Sequence, residues 1–280
     1  MSMNVKKAII PVAGWGTRML PITKSIEKCM LPIGNRPVID YIVSDVLAAG
    51  VDELIFIVGE TSTQLEDYYR DNVKLNDYLH RRGKDDMLPL VASPSGVKLH
   101  FVTQPGYGKY GTAVPVGLAG EYIDEGESAL VLMGDDFVWN QDGSSEIARL
   151  IEAASDDGAS ILGVNVERDE VSKYGVLEIG ERGEYKSIVE KPAPENAPST
   201  LINVSKYLLP KHLIDACATV AINPTRGEYE ITDVINQFAS NGGRINVVEA
   251  RGEYLDGGSV KGLLHANNVI ASSDNVLYNS

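Results

Sequence analysis

From residue 8 to residue 166, short apolar runs alternate with stretches of helical period, and this alternation limits the chain to a few architectures. The runs at 8–12, 54–58, 97–103, 129–133 and 159–166 read as strands, and 37–49, 61–69, 112–122 and 144–154 read as helices. In 37–49, Val38, Ile39, Ile42, Val43, Val46 and Leu47 fall on one face, Pro37 suits a first turn, and Gly50 closes the end. Strands that alternate with helices are joined by crossovers. The fold class expected is therefore α/β: a Rossmann-like mixed, mostly parallel sheet flanked by helices. Ligands of such sheets bind beyond the carboxyl ends of the strands. Residues 71–95 are polar, interrupt the alternation and predict an excursion with some helix. Later the pattern is less regular. Strands are expected at 174–179, 187–190 and 245–250, helices at 210–218, 231–240 and 260–272, and a Pro/Ala loop at 192–198.

The first strand runs into Ala13-Gly14-Trp15-Gly16-Thr17-Arg18, and Lys24 and Lys28 follow. A turn with two glycines lets backbone N–H groups approach a bulky anion. Fixed cations beside it suit a nucleoside triphosphate whose pyrophosphate must leave. Charge supports this. The chain carries a formal net charge of -14, yet residues 1–36 hold Lys6, Lys7, Arg18, Lys24, Lys28 and Arg36 against Glu27 alone. A Gly-rich turn with lysines on a solvated face is the alternative. The turn is not a P-loop, since Gly-x-x-x-x-Gly-Lys-Ser/Thr is absent, and Met19 replaces the third glycine of the dinucleotide fingerprint.

Composition excludes several classes. No apolar run reaches the ~18 residues of a membrane span. Cys29 and Cys217 are isolated, which fits a reducing compartment, and no secretory signal precedes the first strand, so a cytoplasmic location is expected. Four scattered histidines without Cys-x-x-Cys argue against structural zinc. The acidic balance argues against nucleic acid as a partner, because phosphate backbones need basic faces.

Other segments carry chemistry. Gly106-x-Gly108-x-x-Gly111 matches a dinucleotide pattern literally but follows a later strand, where a glycine loop against a nucleobase is the better reading. Gln104 before it offers a donor and an acceptor to a pyrimidine edge. Asp135, at the end of a strand, and Asp256, in Asp-Gly-Gly, lie in tight turns. Alone, each reads as local capping. Together, two carboxylates with substrate phosphates suit Mg²⁺. Glu190-Lys191 pairs a carboxylate with an ammonium, which suits a sugar hydroxyl and a sugar phosphate, or a surface ion pair.

In this order the motifs resemble the bacterial sugar-1-phosphate nucleotidylyltransferases, most nearly their uridylyltransferase branch. The carriers are the segment Ala13 to Lys24, Lys28-Cys-Met-Leu-Pro32, Arg36-Pro-Val-Ile-Asp-Tyr41, Gln104, Gly134-Asp135, Tyr174-Gly175-Val176, Val189-Glu-Lys-Pro192, Gly227 to Asp233 and Asp256-Gly-Gly258. Gly227 to Asp233 reads closer to the thymidylyltransferases. The resemblance implies that UTP and glucose 1-phosphate give UDP-glucose and pyrophosphate with Mg²⁺. It implies a single domain over 1–280, with a nucleotide-binding half near 5–170 and a smaller sugar-side β/helix half near 171–272, in a homodimer or homotetramer.

By motif position it assigns Ala13, Gly14, Gly16, Thr17, Gln104 and Gly111 to the nucleotide, and Arg18 and Lys28 to catalysis. Gly175 and Glu190 go to the sugar, Lys191 to its phosphate, and Asp135 and Asp256 to the metal; Asn203, a departure from the family pattern in the sugar-side segment, is also placed with the sugar phosphate. The chain departs from the family pattern at Glu27, Cys29, Lys109, Asn203 and Ser205. The alternatives are the same chemistry on dTTP or another hexose 1-phosphate, and a non-catalytic nucleotide-sugar sensor.

Overall fold

The structure, a computed structural model, describes residues 5–154 and 158–273. In chain order its strands are β1 (Lys7–Pro11), β2 (Pro32–Ile33), β3 (Arg36–Pro37), β4 (Glu53–Gly59), β5 (Lys98–Gln104), β6 (Ser128–Leu132), β7 (Asp136–Trp139), β8 (Ala159–Asn165), β9 (Gly175–Ile179), β10 (Tyr185–Glu190), β11 (Leu201–Pro210), β12 (Ile245–Glu249) and β13 (Glu253–Asp256). The α-helices are α1 (Val38–Ala48), α2 (Gln64–Tyr69), α3 (Val73–Arg81), α4 (Ala113–Leu118), α5 (Glu146–Glu152), α6 (Lys211–Thr219), α7 (Ile231–Ser240) and α8 (Val260–Ser272).

Nine strands form one mixed sheet. Its first part is parallel, in the order β5-β4-β1-β6. Strand β11 joins β6 antiparallel and leads on to the parallel pair β8–β12 and the antiparallel pair β9–β10. Central parallel strands are covered on both faces, so their sequences run apolar without alternation. Successive residues nevertheless feed opposite layers. Ala8, Ile10, Leu54, Phe56, Leu130 and Leu132 pack with α1, α5 and α8. Ile9, Ile55, Ile57, Ala129 and Val131 pack with α4, α6 and α7. All are fully buried. Each large aliphatic or aromatic side chain among them contributes about 1.5–3 kcal/mol of transfer free energy.

The expected elements of the first half are present with slightly shifted ends. Residues 71–95 hold α3, capped by the Asn72 side chain accepting from Leu75 N at 3.0 Å, and a 3₁₀ stretch at Asp85–Leu90. Two features were not expected. One is β11 itself, in the middle of the sheet. The other is the two-stranded ladder β7–β13, which sets Asp136 opposite Asp256.

Strand β11 is broken by a bulge. Asn203 pairs with Gly163 and Tyr207 with Ile161, so the residues between outnumber their partners on β8. Ser205 there has φ +52°, a left-handed conformation that is costly for a residue with a Cβ. Asn203 fastens the bulge: its Oδ1 accepts from Ser205 N at 2.9 Å and its Nδ2 donates to the Tyr207 hydroxyl at 2.7 Å. Cys29 and Cys217 are both buried and unpaired with each other. Among the described residues no helix is long and apolar enough to cross a membrane.

Candidate active site

The carboxyl ends of β1, β5 and β6 lie along one edge of the parallel part, and the nucleotide-side and metal-side residues of the sequence reading follow them, whereas Gly175, Glu190, Lys191 and Asn203 lie on or beside β9, β10 and β11. Past β1, Ala13 is half-buried while Gly14 and Thr17 are exposed. Gly16 has φ +61°, and a Cβ on it would lie 3.0 Å from Thr23 Cγ2 and 3.1 Å from Lys28 Cβ. Glycine is therefore needed for the turn to close against the Lys28 segment. Thr23 Oγ1 donates to the Gly16 carbonyl at 2.9 Å and holds the two together. Arg18 stands exposed on the 3₁₀ turn Thr17–Met19, which buried Met19 anchors.

After a 3₁₀ turn at Ile22–Lys24, Lys28 opens a third, Lys28–Met30, pinned by buried Cys29. Among the described residues no hydrogen bond or ion pair joins the side chain of its neighbour Glu27 to it. The Glu27 carboxylate accepts from Thr63 N (2.9 Å), Gln64 N (2.8 Å) and Ser62 Oγ (2.6 Å), at the start of α2. Backbone N–H groups at a helix N-terminus favour an anion. The acid that departs from the family pattern thus ties the Lys28 segment to α2, leaving the Lys28 ammonium uncompensated by it.

Lys28 Nζ instead forms a short ion pair with Asp135 Oδ2. Asp135 lies in the turn between β6 and β7, whose Gly134 N donates to the Pro11 carbonyl at 3.3 Å. Asp256 comes from the far end of the chain through the β7–β13 ladder. It is held by Gly258 N (2.7 Å to Oδ1) and Ser259 Oγ (3.0 Å to Oδ2), at the start of α8. A Cβ on Gly258 would lie 2.8 Å from Asp256 Oδ1, 2.9 Å from Lys28 Nζ and 3.1 Å from Asp135 Oδ2. Two carboxylates and an ammonium thus surround one point. Burial disfavours the Asp135 anion, but the Lys28 ammonium, helped by Lys206 and Arg18, holds its carboxyl below the usual carboxylate range.

Two carboxylates suit one divalent cation whose shell is completed by substrate phosphates and water. Among the described residues no group of three or more His, Cys, Asp or Glu could hold an ion by itself. The donor set fits a metal that needs its substrate's phosphates to complete the shell.

Behind this point is a second lysine–aspartate pair that sequence reasoning missed. Lys206, in the β11 bulge, is buried and forms a short ion pair with Asp136 Oδ1. It also donates to the carbonyls of Met133 (3.2 Å) and Val204 (3.3 Å). The Tyr254 hydroxyl donates to Asp136 Oδ2 at 2.7 Å. Burial pushes the Asp136 carboxyl up to about 6, against the pull of Lys206. This network joins β6–β7, β11 and β13, the segments that carry or flank Asp135 and Asp256. A lone lysine inside the apolar run 201–210 was its one sequence signal.

Gln104 closes β5 opposite Gly59. Gly111, with φ +134°, packs on the backbone of Tyr229, and a Cβ there would overlap the Tyr229 carbonyl. Thr112 Oγ1 donates to Glu230 Oε2 (2.9 Å) and accepts from Ile231 N (3.0 Å), so the glycine loop is stitched to the start of α7. On the other side, Gly175 and Glu190 face each other across β9–β10. Arg226, also missed, donates to Glu190 Oε2 at 3.0 Å and pairs with Glu230 at 3.0 Å. Lys191 is exposed, at φ +45°, with its N–H on the Tyr174 carbonyl at 2.9 Å. Asn203 is buried in the bulge it fastens. No hydrogen bond or ion pair among the described residues joins Lys191 or Asn203 to the Asp135–Lys28–Asp256 cluster. A groove of about 570 Å³ along β7–β13, lined by Trp139, Asn140, Arg251 and Glu253 among others, contains none of the predicted site residues.

The family model described as nucleotidyl transferase matches residues 7–273. A UTP–glucose-1-phosphate uridylyltransferase of Streptococcus pneumoniae is 34% identical over 275 residues, covering 94% of this chain and 89% of the relative. One from Staphylococcus saprophyticus is 32% identical over 281 residues, covering 98% and 95%. Among solved structures, a UTP-bound UDP-glucose pyrophosphorylase of Acinetobacter baumannii superposes with a TM-score of 0.86 at 28% identity, covering 98% of this chain and 95% of that one. A UDP-glucose pyrophosphorylase complexed with UDP-glucose gives a TM-score of 0.80 at 30% identity, with 95% and 98% covered.

Proposed function

Because the chain belongs to the nucleotidyl transferase family, we propose that it transfers a uridylyl group from UTP to glucose 1-phosphate, giving UDP-glucose and pyrophosphate. One observation carries this reading: Lys28, Asp135 and Asp256, from three distant parts of the chain, meet at one point beyond the parallel strands. Relatives named for this activity over nearly the whole chain supply the substrates. Enzymes of this kind generally use a divalent metal; the proposed ion is Mg²⁺, held by Asp135 and Asp256.

Phosphoryl-type transfer asks a protein for positioning and charge neutralisation rather than covalent chemistry. In this reading the backbone of Ala13, Gly14, Gly16 and Thr17 cradles the triphosphate. Arg18, exposed beside the turn, stabilises the departing pyrophosphate. Lys28 takes the reacting phosphates. Gln104 reads the pyrimidine edge and Gly111 shapes the loop around it. On the other half, Gly175 and Glu190 hold the sugar, Lys191 its phosphate, and Asn203 shapes the strand beneath. A phosphate oxygen of glucose 1-phosphate attacks the α-phosphorus in line, and the pyrophosphate oxygen leaves. A bound Mg²⁺ would neutralise charge on the phosphate oxygens.

The test is pyrophosphate release with UTP and with dTTP, each against glucose 1-phosphate, with and without Mg²⁺. Release that needs Mg²⁺ and favours UTP is expected. Preference for dTTP would move the chain to the thymidylyl branch, and silence with both would refute the reading.

A further inference from the structure

The two lysine–aspartate pairs differ in what can displace them. Lys206 is buried, with two backbone carbonyls and Asp136 around its ammonium, so no solute reaches it. Lys28 lies at the mouth of the site. Its partner Asp135 is half-buried, and its ammonium, paired with Asp135, lies beside the point that the Asp135 and Asp256 carboxylates flank. Lysine carries a compact charge on a flexible stem and can exchange one anion for another by rotation of that stem. Asp256, by contrast, is fixed by Gly258 N and Ser259 Oγ and remains oriented whatever Lys28 does.

We propose that Lys28 is a displaceable internal cation: without substrate it occupies the place of the divalent metal, and the triphosphate draws it away and opens that place. This rests on the reading above for the identity of the triphosphate, but its physical content is a competition between an ammonium and a divalent ion for the Asp135 carboxylate beside Asp256. Without nucleotide, a metal must displace an ammonium that has no better partner. With nucleotide, the ammonium gains phosphate oxygens and the carboxylates are left to the metal. Metal and nucleotide therefore strengthen each other's binding by the same factor, since coupling between two ligands is reciprocal. The metal enters with its substrate rather than waiting in an idle site.

The test uses Mn²⁺ alone, with no nucleotide, counted by the electron-spin-resonance signal of free ion over the intact protein. Lys28→Met is expected to bind Mn²⁺ about tenfold or more tightly than the unaltered chain, a change well inside what one displaced ammonium supplies. Lys28→Arg, which keeps the cation, stays within threefold of the unaltered chain, and Lys28→Met with Asp256→Asn loses the gain. Equal affinity in Lys28→Met and the unaltered chain overturns the proposal, as does a gain that survives Asp256→Asn. Thermal melts report whether each variant is folded. A second arm needs no change at Lys28. Asp135→Asn frees the ammonium, so UTP binding in EDTA is expected to tighten severalfold while binding of inorganic sulfate to the exposed surface is unchanged. Weaker or unaltered UTP binding there counts against it. Neither arm measures turnover. If the unaltered chain releases pyrophosphate from UTP yet Lys28→Met shows no gain in Mn²⁺ affinity, this inference fails alone. If the gain appears and no nucleotide is turned over, the functional reading fails and the competition stands.

Discussion

Asp135 and Asp136 are adjacent in the chain, and each meets a lysine: Lys28 from the glycine-turn side, Lys206 from the bulge of β11. The first pair is only half-buried, and Lys28, against the cost of burial, holds the Asp135 carboxyl below its ordinary pKa. The second is buried, and Asp136 is pushed up to about 6 because burial outweighs its partner. The same two residue types, one position apart, thus serve as an exchangeable ligand in one case and as a strut in the other. Access decides which. A buried pair whose carboxylate accepts from the Tyr254 hydroxyl and whose ammonium donates to the Met133 and Val204 carbonyls fixes geometry, whereas an accessible pair can trade partners.

The comparison can be broken by treating the pairs alike. Lys206→Met leaves the Asp136 charge buried without its cation, and is expected to cost about 3–5 kcal/mol in denaturant unfolding. A cost under about 1 kcal/mol, the range of exposed pairs, would show that Lys206 is no strut. Lys28→Met should do the reverse. Turnover is expected to fall about 10²–10³-fold, the scale of losing one preorganised donor to developing phosphate charge, while the denaturation midpoint moves far less than in Lys206→Met.

Acid sharpens the contrast further. Asp136 binds its proton near pH 6 when folded and near pH 4 when unfolded, so the native state holds more protons between those values. Its contribution to stability therefore rises as pH falls from about 6 to about 4. Asp135, with a depressed pKa, contributes stability above the ordinary carboxylate range that is lost at lower pH. Asp136→Asn is expected to flatten the stability profile between pH 6 and 4, whatever its absolute cost. An unchanged slope in that window would contradict the assignment. The smallest effect belongs to the acid that neighbours Lys28. Glu27→Gln weakens the anchor on α2 by about 1 kcal/mol, the usual worth of a capping interaction, and leaves the KM for UTP within twofold. A large change in that KM would mean that Glu27 acts on the phosphates after all.

The parallel part of the sheet was legible because each of its strands is a continuous apolar run bounded by turn residues, and each helix shows its period within a dozen residues. The cluster was legible as residue types: Lys28, Asp135 and Asp256 were named from their turns. What joins them was not, because the β7–β13 ladder pairs Asp136 with a residue near the other end of the chain. Strand β11 was hidden by its own bulge. Asn203, Ser205 and Lys206 interrupt the apolar run, and only the fold reveals that the first fastens the backbone and the last finds its counter-ion on β7. Arg226 lies one residue before the segment Gly227 to Asp233 that the sequence singles out, and its partner Glu190 is set by the packing of the loop before α7 on β10.

The central claim is that Asp135, Asp256 and Lys28 form one reaction point. The most direct test is turnover of UTP and glucose 1-phosphate by Asp256→Asn, in which the amide oxygen can still accept from Gly258 N while the amide NH2 donates to Ser259 Oγ, so the fold is retained. The account predicts a loss of about a hundredfold or more at saturating Mg²⁺, since the metal's charge stabilisation depends on that carboxylate, with an unaltered melting temperature. Turnover within threefold of the unaltered chain, in a folded protein, would contradict it.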